Sequence, residues 1–271
     1  MAIQSVFGKW QVFEEFNGLV ATTTISDATA VRYNQLSLIA ISGDTDMVST
    51  VDESGGVLAF TGAGGAGDGV AIISSPMQPS TNGQIVMEAR FKNSSATDFR
   101  CWVGWQETVS LTETVNPFTL SGTTLTSNDG GNAVGFYVDT AATTDDFRFH
   151  ASLDGTELTT AACQAGSGLP ATPTTLGALG VRAGVTLTAD SYYVARVIIN
   201  NNGTAEGWFG HDTMAGGGAL APRMVARLTA SGAVDQTALY YPIIMLLASS
   251  TGDPTPEIDY FGATANRDWA A

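Results

Sequence analysis

A chain of 271 residues is long enough to bury a large core in one β domain without disulfides or metals. Glycine supplies 31 residues and charged residues only 14 %, which disfavours the long helices that Glu, Lys, Leu, Arg and Gln usually build. A net charge of −15 repels phosphate backbones and argues against direct nucleic-acid binding.

Neither a membrane helix nor a signal peptide is predicted. The apolar run from Leu239 to Ala248 is too short to span a bilayer and contains Pro242. Glu14 and Glu15 interrupt the pattern of a signal peptide, so we expect synthesis in a reducing cytoplasm. There, two isolated thiols at Cys101 and Cys163 are favoured, with a bridge between them as the alternative.

The first element is an aromatic arm, residues 1–18, which precedes a single sandwich domain at residues 19–271. No helical or strand period gives its rings a core face, and rings left in water would be costly. They therefore pack either along their own sandwich or on a neighbouring subunit, and we favour the interface. The interface candidates are Phe7, Trp10, Phe13 and Phe16.

Strand signals then recur along the chain. Four segments alternate apolar and polar residues with the period of a half-buried sheet, at 85–92, 99–106, 147–153 and 192–199. Weaker candidates, separated by turn signals such as Asn202-Gly203, occur at 35–41, 57–61, 70–74, 133–138, 205–209, 224–228, 239–247 and 257–261. Roughly a dozen strands predict an all-β, two-sheet antiparallel β-sandwich with jelly-roll connections.

Two tryptophans are candidates for facing a ligand. Trp102 has the opposite parity to Cys101, Val103 and Trp105, so either Trp102 or Trp105 faces outward. An exposed Trp on a sheet can stack on a sugar ring or anchor in a partner, although a covering loop is the commoner case. Trp102 and Trp208 are the two that we name.

The order of segments from about Gly55 onward resembles the concanavalin A-like lectin and glucanase superfamily. The resemblance rests on "GQIVMEARFK", on the strand and hairpin of "DSYYVARVIINNNGTAEGWFGHD", and on the closing strand "PEIDYFGATANRDW". Within that superfamily the chain is most similar to structural proteins of tailed bacteriophages. The resemblance implies a jelly-roll fold, and it implies function by analogy alone.

No catalytic, cofactor or metal site is predicted. Glu257 and Asp259 share one face of a strand, and paired carboxylates are what glycoside hydrolysis needs. Glucanases of the similar superfamily carry a third acid, however, where this chain has Phe261 and Gly262. The remaining groups lack metal-ligand spacing and are expected to be solvated or structural: Asp44/Asp46, Asp52/Glu53, Asp145/Asp146, His150 on a polar strand face, and His211.

These observations predict a non-enzymatic virion structural protein, namely a capsid decoration (cement) protein of a tailed phage. It would lie on the capsid exterior, bind the major capsid protein and sister subunits, and be made in the host cytoplasm. The alternative is a carbohydrate-binding, lectin-like module of a tail fibre or adhesin, with a glycan as ligand.

Overall fold

Strands dominate the computed structural model, which describes residues 9–16, 22–50, 56–62, 64–110, 116–121, 124–128, 131–141, 146–166, 174–212, 222–252 and 255–266. In the first half of the chain the elements are β1 (Lys9–Glu14), β2 (Thr23–Ile25), β3 (Ala30–Tyr33), β4 (Leu36–Ile41), β5 (Thr45–Thr50), β6 (Val57–Thr61), β7 (Gly69–Ile73), α1 (Pro79–Asn82), β8 (Ile85–Asn93), β9 (Arg100–Gln106), β10 (Phe118–Ser121) and β11 (Thr124–Ser127). The second half contains β12 (Ala133–Asp139), β13 (Asp146–Leu153), β14 (Thr156–Glu157), β15 (Ala162–Ala165), β16 (Thr174–Thr175), β17 (Val181–Thr186), β18 (Tyr192–Ile199), β19 (Ala205–Asp212), β20 (Arg223–Leu228), β21 (Tyr241–Leu247) and β22 (Pro256–Asn266).

Two large antiparallel sheets form the molecule. The front sheet has the strand order β16-β15-β20-β19-β18-β8-β22-β6-β5-β2, and β1 also pairs with β22. The back sheet has the order β14-β13-β12-β9-β21-β7-β4-β3, and β17 also pairs with β13. Neighbours such as β8 and β22 are far apart in sequence, so the chain crosses repeatedly between sheets, as jelly rolls do. The predicted two-sheet antiparallel sandwich is confirmed.

The core lies between the sheets, where the alternating strands place their apolar residues. Along β8, Ile85, Met87, Ala89 and Phe91 are buried, while the residues between them are partly exposed. Trp105 of β9 points into the same core, and its indole N–H donates to the carbonyl of Val197 on the opposite sheet at 3.0 Å. The strand period predicted these inward faces correctly.

The outer face of the back sheet is also apolar and buried. It carries a second cluster that includes Trp102, Tyr137 and Met245. The hairpin of β10 and β11, which pair only with each other among the described strands, lays Phe118 on this face. The centre of the Phe118 ring is 5.3 Å from that of Trp102 and 4.8 Å from that of His150. The predicted polar face at His150 is therefore wrong, because the hairpin covers it.

The described part of the N-terminal arm packs on its own sandwich. β1 pairs with β22 over six residues, from Lys9 opposite Asn266 to Glu14 opposite Phe261. Phe16 is 0 % exposed and its ring centre lies 5.8 Å from that of Tyr33, and Trp10 packs against the core. The predicted subunit interface is therefore wrong for Phe16, whose ring is buried in the core of its own sandwich. Phe7 lies outside the described residues.

Candidate functional site

One row of side chains crosses the outer face of the front sheet, from β1 to β19. Each residue of the row is the ladder partner of the next. Adjacent strands lie about 4.8 Å apart, so the row is roughly 19 Å long. In order, the Phe13–Trp208 row consists of Phe13, Gly262, Glu88, Arg196 and Trp208. An aromatic ring stands at each end and an ion pair at the centre.

Both oxygens of the central carboxylate have partners. The Nε of Arg196 donates to Oε2 of Glu88 at 2.5 Å, and the hydroxyl of Tyr260 donates to Oε1 at 2.7 Å. Burial, followed by the hydrogen bond to Glu88, raises the pKa of Tyr260, so its hydroxyl remains a donor. Charge-assisted hydrogen bonds of this kind are directional, and they hold the three side chains in a defined arrangement.

Phe13 forms the β1 end of the row together with Tyr260. The centres of their rings are 5.6 Å apart and the planes are tilted by 33°. Gly262, opposite Phe13, leaves space for that ring, since a Cβ at position 262 would lie 3.1 Å from Cδ2 of Phe13. A small residue at this point of β22 thus lets an aromatic ring lie across the strand.

Trp208 forms the other end and is partly exposed. Its indole N–H donates to Oε2 of Glu206 at 3.1 Å, and Oε1 of Glu206 lies 3.5 Å from Nε of Arg227. The indole is therefore oriented by a neighbouring carboxylate in a residue that remains partly exposed.

A groove with a volume of about 390 Å³ runs along the β1 side of the row. It is lined by Phe13, Tyr260 and the Glu88–Arg196 pair. Four residues of the parallel row also line it, two of them polar and two apolar: Gln11, Thr264, Val86 and Ile198. Ligand sites commonly combine such apolar surface with a few oriented polar groups.

The carboxylates that the sequence singled out lie further along the same face and are engaged separately. Oε2 of Glu257 is 2.9 Å from Nζ of Lys92, while Asp259 pairs with Arg90. The guanidinium carbon of Arg90 also lies 3.9 Å from the centre of the Tyr192 ring. Each carboxylate is thus held by its own cation, as structural ion pairs are, and both belong to the partly exposed face of β22.

The structure brings Phe13 and Trp208 into one row but places Trp102 elsewhere. Trp102 lies on the outer face of the back sheet, as its parity allows, yet it is 0 % exposed beneath Phe118. It cannot offer a ring to a ligand there, so the prediction of Trp102 as a ligand-facing residue is wrong for this structure. Of the other predicted interface residues, Phe16 belongs to the core, and Trp10 is partly buried and packs against it.

The other polar candidates have structural partners. His211 stacks on the ring of Tyr193 at 5.1 Å, Asp44 accepts from the amide of Asp27, and Asp146 pairs with Arg182 at 3.1 Å. Asp52, Glu53 and Asp145 lie outside the described residues. Within the described ranges, no group of three or more His, Cys, Asp or Glu side chains is placed to hold a metal ion.

Cys101 and Cys163 are both buried and unbridged, as the sequence favoured. Burial raises the pKa of each thiol, which keeps them protonated and unreactive. Among the helices of the described segments, none has the length and apolar character required to cross a bilayer.

Comparison with known proteins gives similarity of fold. No protein-family model and no curated protein matches this chain. A solved protein of unknown function from Shewanella oneidensis MR-1 is 13 % identical, with a TM-score of 0.50 over 97 % of this chain and 89 % of its own. The CBM2 module of the evolved Dit of Lactobacillus casei BL23 phage J-1 is 11 % identical, with a TM-score of 0.46 over 97 % of this chain and 98 % of its own. A Lotus tetragonolobus seed lectin is 9 % identical, with a TM-score of 0.49 over 91 % and 99 %. The described strands form the two-sheet antiparallel sandwich that the sequence predicted, and at these identities the likeness to solved proteins is one of fold.

The sequence did not identify four residues of this site: Glu88, Arg196, Tyr260 and Gly262. Glu88 and Arg196 occupy partly exposed positions of their strands, but nothing in the sequence shows that they face each other. Positions 88, 196 and 262 become neighbours only through the register of β8 with β18 and β22. No local signal in the sequence specifies that register.

Proposed function

We propose that the chain is a non-enzymatic, carbohydrate-binding module whose ligand lies on the Phe13–Trp208 row. The observation that carries the proposal is the row itself, which has a partly exposed aromatic residue at each end and, between them, an ion pair whose carboxylate accepts hydrogen bonds on both oxygens. The C–H faces of a sugar stack on aromatic rings, and its hydroxyls bond to oriented polar groups. The adjoining groove provides room for such a ligand.

The arrangement of carboxylates supports binding in preference to hydrolysis. Glycoside hydrolysis uses two carboxyl groups that flank one bond, one as acid and the other as base or nucleophile. On the row, Glu88 is a lone carboxylate, and both its oxygens already accept hydrogen bonds. Glu257 and Asp259 are each paired with a different cation.

The capsid decoration protein of a tailed phage stays a prediction, together with its capsid partners and its place on the virion exterior. The aromatic arm was the apolar contact region expected to dock on the capsid or on a sister subunit. Trp10 and Phe16 pack in cis, which removes most of that contact region, while Phe13 faces the groove. A glycan-binding module can also belong to a virion, so the two functions are compatible.

The decisive experiment measures binding to a broad panel of immobilised polysaccharides, using wild type, Phe13→Ala, Trp208→Ala and the control Leu239→Ala. Leu239 is 53 % exposed and does not belong to the row or the groove, so its loss should leave affinity unchanged. Each ring removed from the row should weaken binding about tenfold or more, or about 1.4 kcal/mol. The proposal fails if no glycan binds, or if both row variants bind as wild type does.

A further inference from the structure

We infer that the ligand is an internal stretch of an uncharged, linear polysaccharide that lies across the strands, along the whole Phe13–Trp208 row. The inference rests on the proposed function, and it adds the charge and the shape of the glycan. Charge follows from the ion pair on the row and the ion pair beside it, and shape follows from the separation of the two rings of the row.

The site is electrically balanced although the chain is strongly acidic. The charge of Glu88 is compensated by Arg196, and that of Glu206 by Arg227. Both oxygens of Glu88 are occupied, so it offers little to a cationic sugar. An anionic polysaccharide would gain little from Arg196, whose charge is already paired, and would approach a protein of net charge −15. Neutral hydroxyl groups can bond to the outer edges of these pairs without breaking them.

The shape of the row requires an extended ligand. Phe13 and Trp208 are separated by four strand spacings, roughly 19 Å, which is far more than one sugar ring can span. Polar residues of the parallel row, Gln11 and Thr264 near one end and Glu206 near the other, follow the same direction. A chain of several rings can stack at both ends at once, whereas a terminal monosaccharide contacts one end alone.

The two rings are held in place by different residues, so each keeps its position without the other. Phe13 contacts Tyr260 and lies over Gly262, while Trp208 is held by Glu206 on its own strand. Removing one ring should therefore leave the other in place. A long ligand would lose one of two contacts, and a short ligand bound at the opposite end would lose nothing.

The test has two parts. Wild-type protein is first titrated with neutral polysaccharides (glucans, mannans, galactans, xylans) and with anionic ones (polygalacturonate, alginate, hyaluronate), at low and high salt. Oligosaccharides of increasing length, prepared from the best-binding polymer, are then titrated into wild type, Phe13→Ala, Trp208→Ala and Trp208→Phe. Calorimetry gives the affinities.

We expect neutral polymers to bind with an affinity that is nearly independent of salt, because no ion pair forms with the ligand. Affinity should rise about tenfold or more from disaccharide to long oligomer. Phe13→Ala and Trp208→Ala should each flatten this rise, and Trp208→Phe should restore part of the length dependence that Trp208→Ala removes.

Preference for an anionic polymer, or full affinity for a disaccharide, would overturn this inference and leave the proposed function intact, provided that the row variants still weaken binding. Failure of every polymer to bind would instead overturn the proposed function itself. Length dependence that survives both alanine changes would show that the long ligand lies elsewhere on the molecule.

Discussion

The indole of Trp102 lies directly over Gly135 on the neighbouring strand. A Cβ at position 135 would stand 2.9 Å from Cη2 of the indole and 2.3 Å from the carbonyl oxygen of Val103. Gly104, the ladder partner of Gly135, is equally close to the same ring. The indole of Trp102 thus packs on two facing glycines that have no side chain to displace it, and Phe118 packs on the indole.

Gly135→Ala should therefore destabilise the protein by roughly 1–3 kcal/mol, because the added methyl group meets backbone as well as the indole. Urea unfolding followed by circular dichroism measures the change. Gly62→Ala is the matched control, since a Cβ there meets Asp68 at an ordinary 3.6 Å. Equal unfolding midpoints for the two variants would contradict the close packing of Trp102 on Gly135.

Phe16→Ala should lower the free energy of unfolding by about 3–5 kcal/mol, as expected for a fully buried Phe. Deleting residues 1–16 should be at least as harmful, because it also removes the β1 ladder from β22. Gln11→Ala, on the partly exposed face of the same strand, should change stability little. Thermal melts and light scattering test this. A truncated protein that melts like wild type but no longer assembles with a partner would restore the interface hypothesis.

His150 should make the protein sensitive to acid. Burial lowers its pKa to about 3, compared with about 6.5 in an unfolded chain. Between these values the unfolded state binds a proton that the folded state does not, so the free energy of unfolding falls as pH decreases from about 6.5 toward 3. Neither ring nitrogen has a hydrogen-bond partner among the residues that the structure describes, so His150→Leu should cost little at pH 7.

At pH 5 the leucine variant should be more stable than wild type by roughly 2 kcal/mol, beyond any difference measured at pH 7. His150→Asn serves as the control, because it keeps a buried polar group but does not titrate. Its free energy of unfolding at pH 7 should therefore be lower than that of the leucine variant, but it should lose the same part of the dependence on pH. If wild type and both variants lose stability in parallel between pH 7 and pH 5, His150 does not carry the effect.

Glu257→Gln and Asp259→Asn should leave polysaccharide hydrolysis at background, as it should already be in wild type. Each change also breaks a partly exposed ion pair, which is worth at most about 1 kcal/mol. Reducing-sugar release from β-glucans, measured beside unfolding curves, tests both statements. Reproducible hydrolysis by wild type that either substitution abolishes would show that the paired carboxylates are catalytic after all.

Prediction from sequence succeeded where a single strand contains the whole signal. The alternation of Ile85, Met87, Ala89 and Phe91 with polar residues predicted both the strand and its buried face. The same reasoning failed at His150, where parity named the outer face correctly but could not show that a distant hairpin covers it. It also failed in the arm, because Phe13 on the outer face disrupts the alternation of Trp10 and Val12.

The amino-acid sequence by itself determined the all-β class, the two-sheet architecture, the unpaired thiols and the inward faces of the central strands. These follow from composition and from a period of two, which are properties of short segments of chain. The tertiary structure decided which outer face is covered and which is open, and it aligned Phe13, Glu88, Arg196 and Trp208 in one row. That alignment depends on the pairing of strands more than 100 residues apart, such as β8 with β18. Register across such distances is set by the packing of the whole core, which no local pattern encodes.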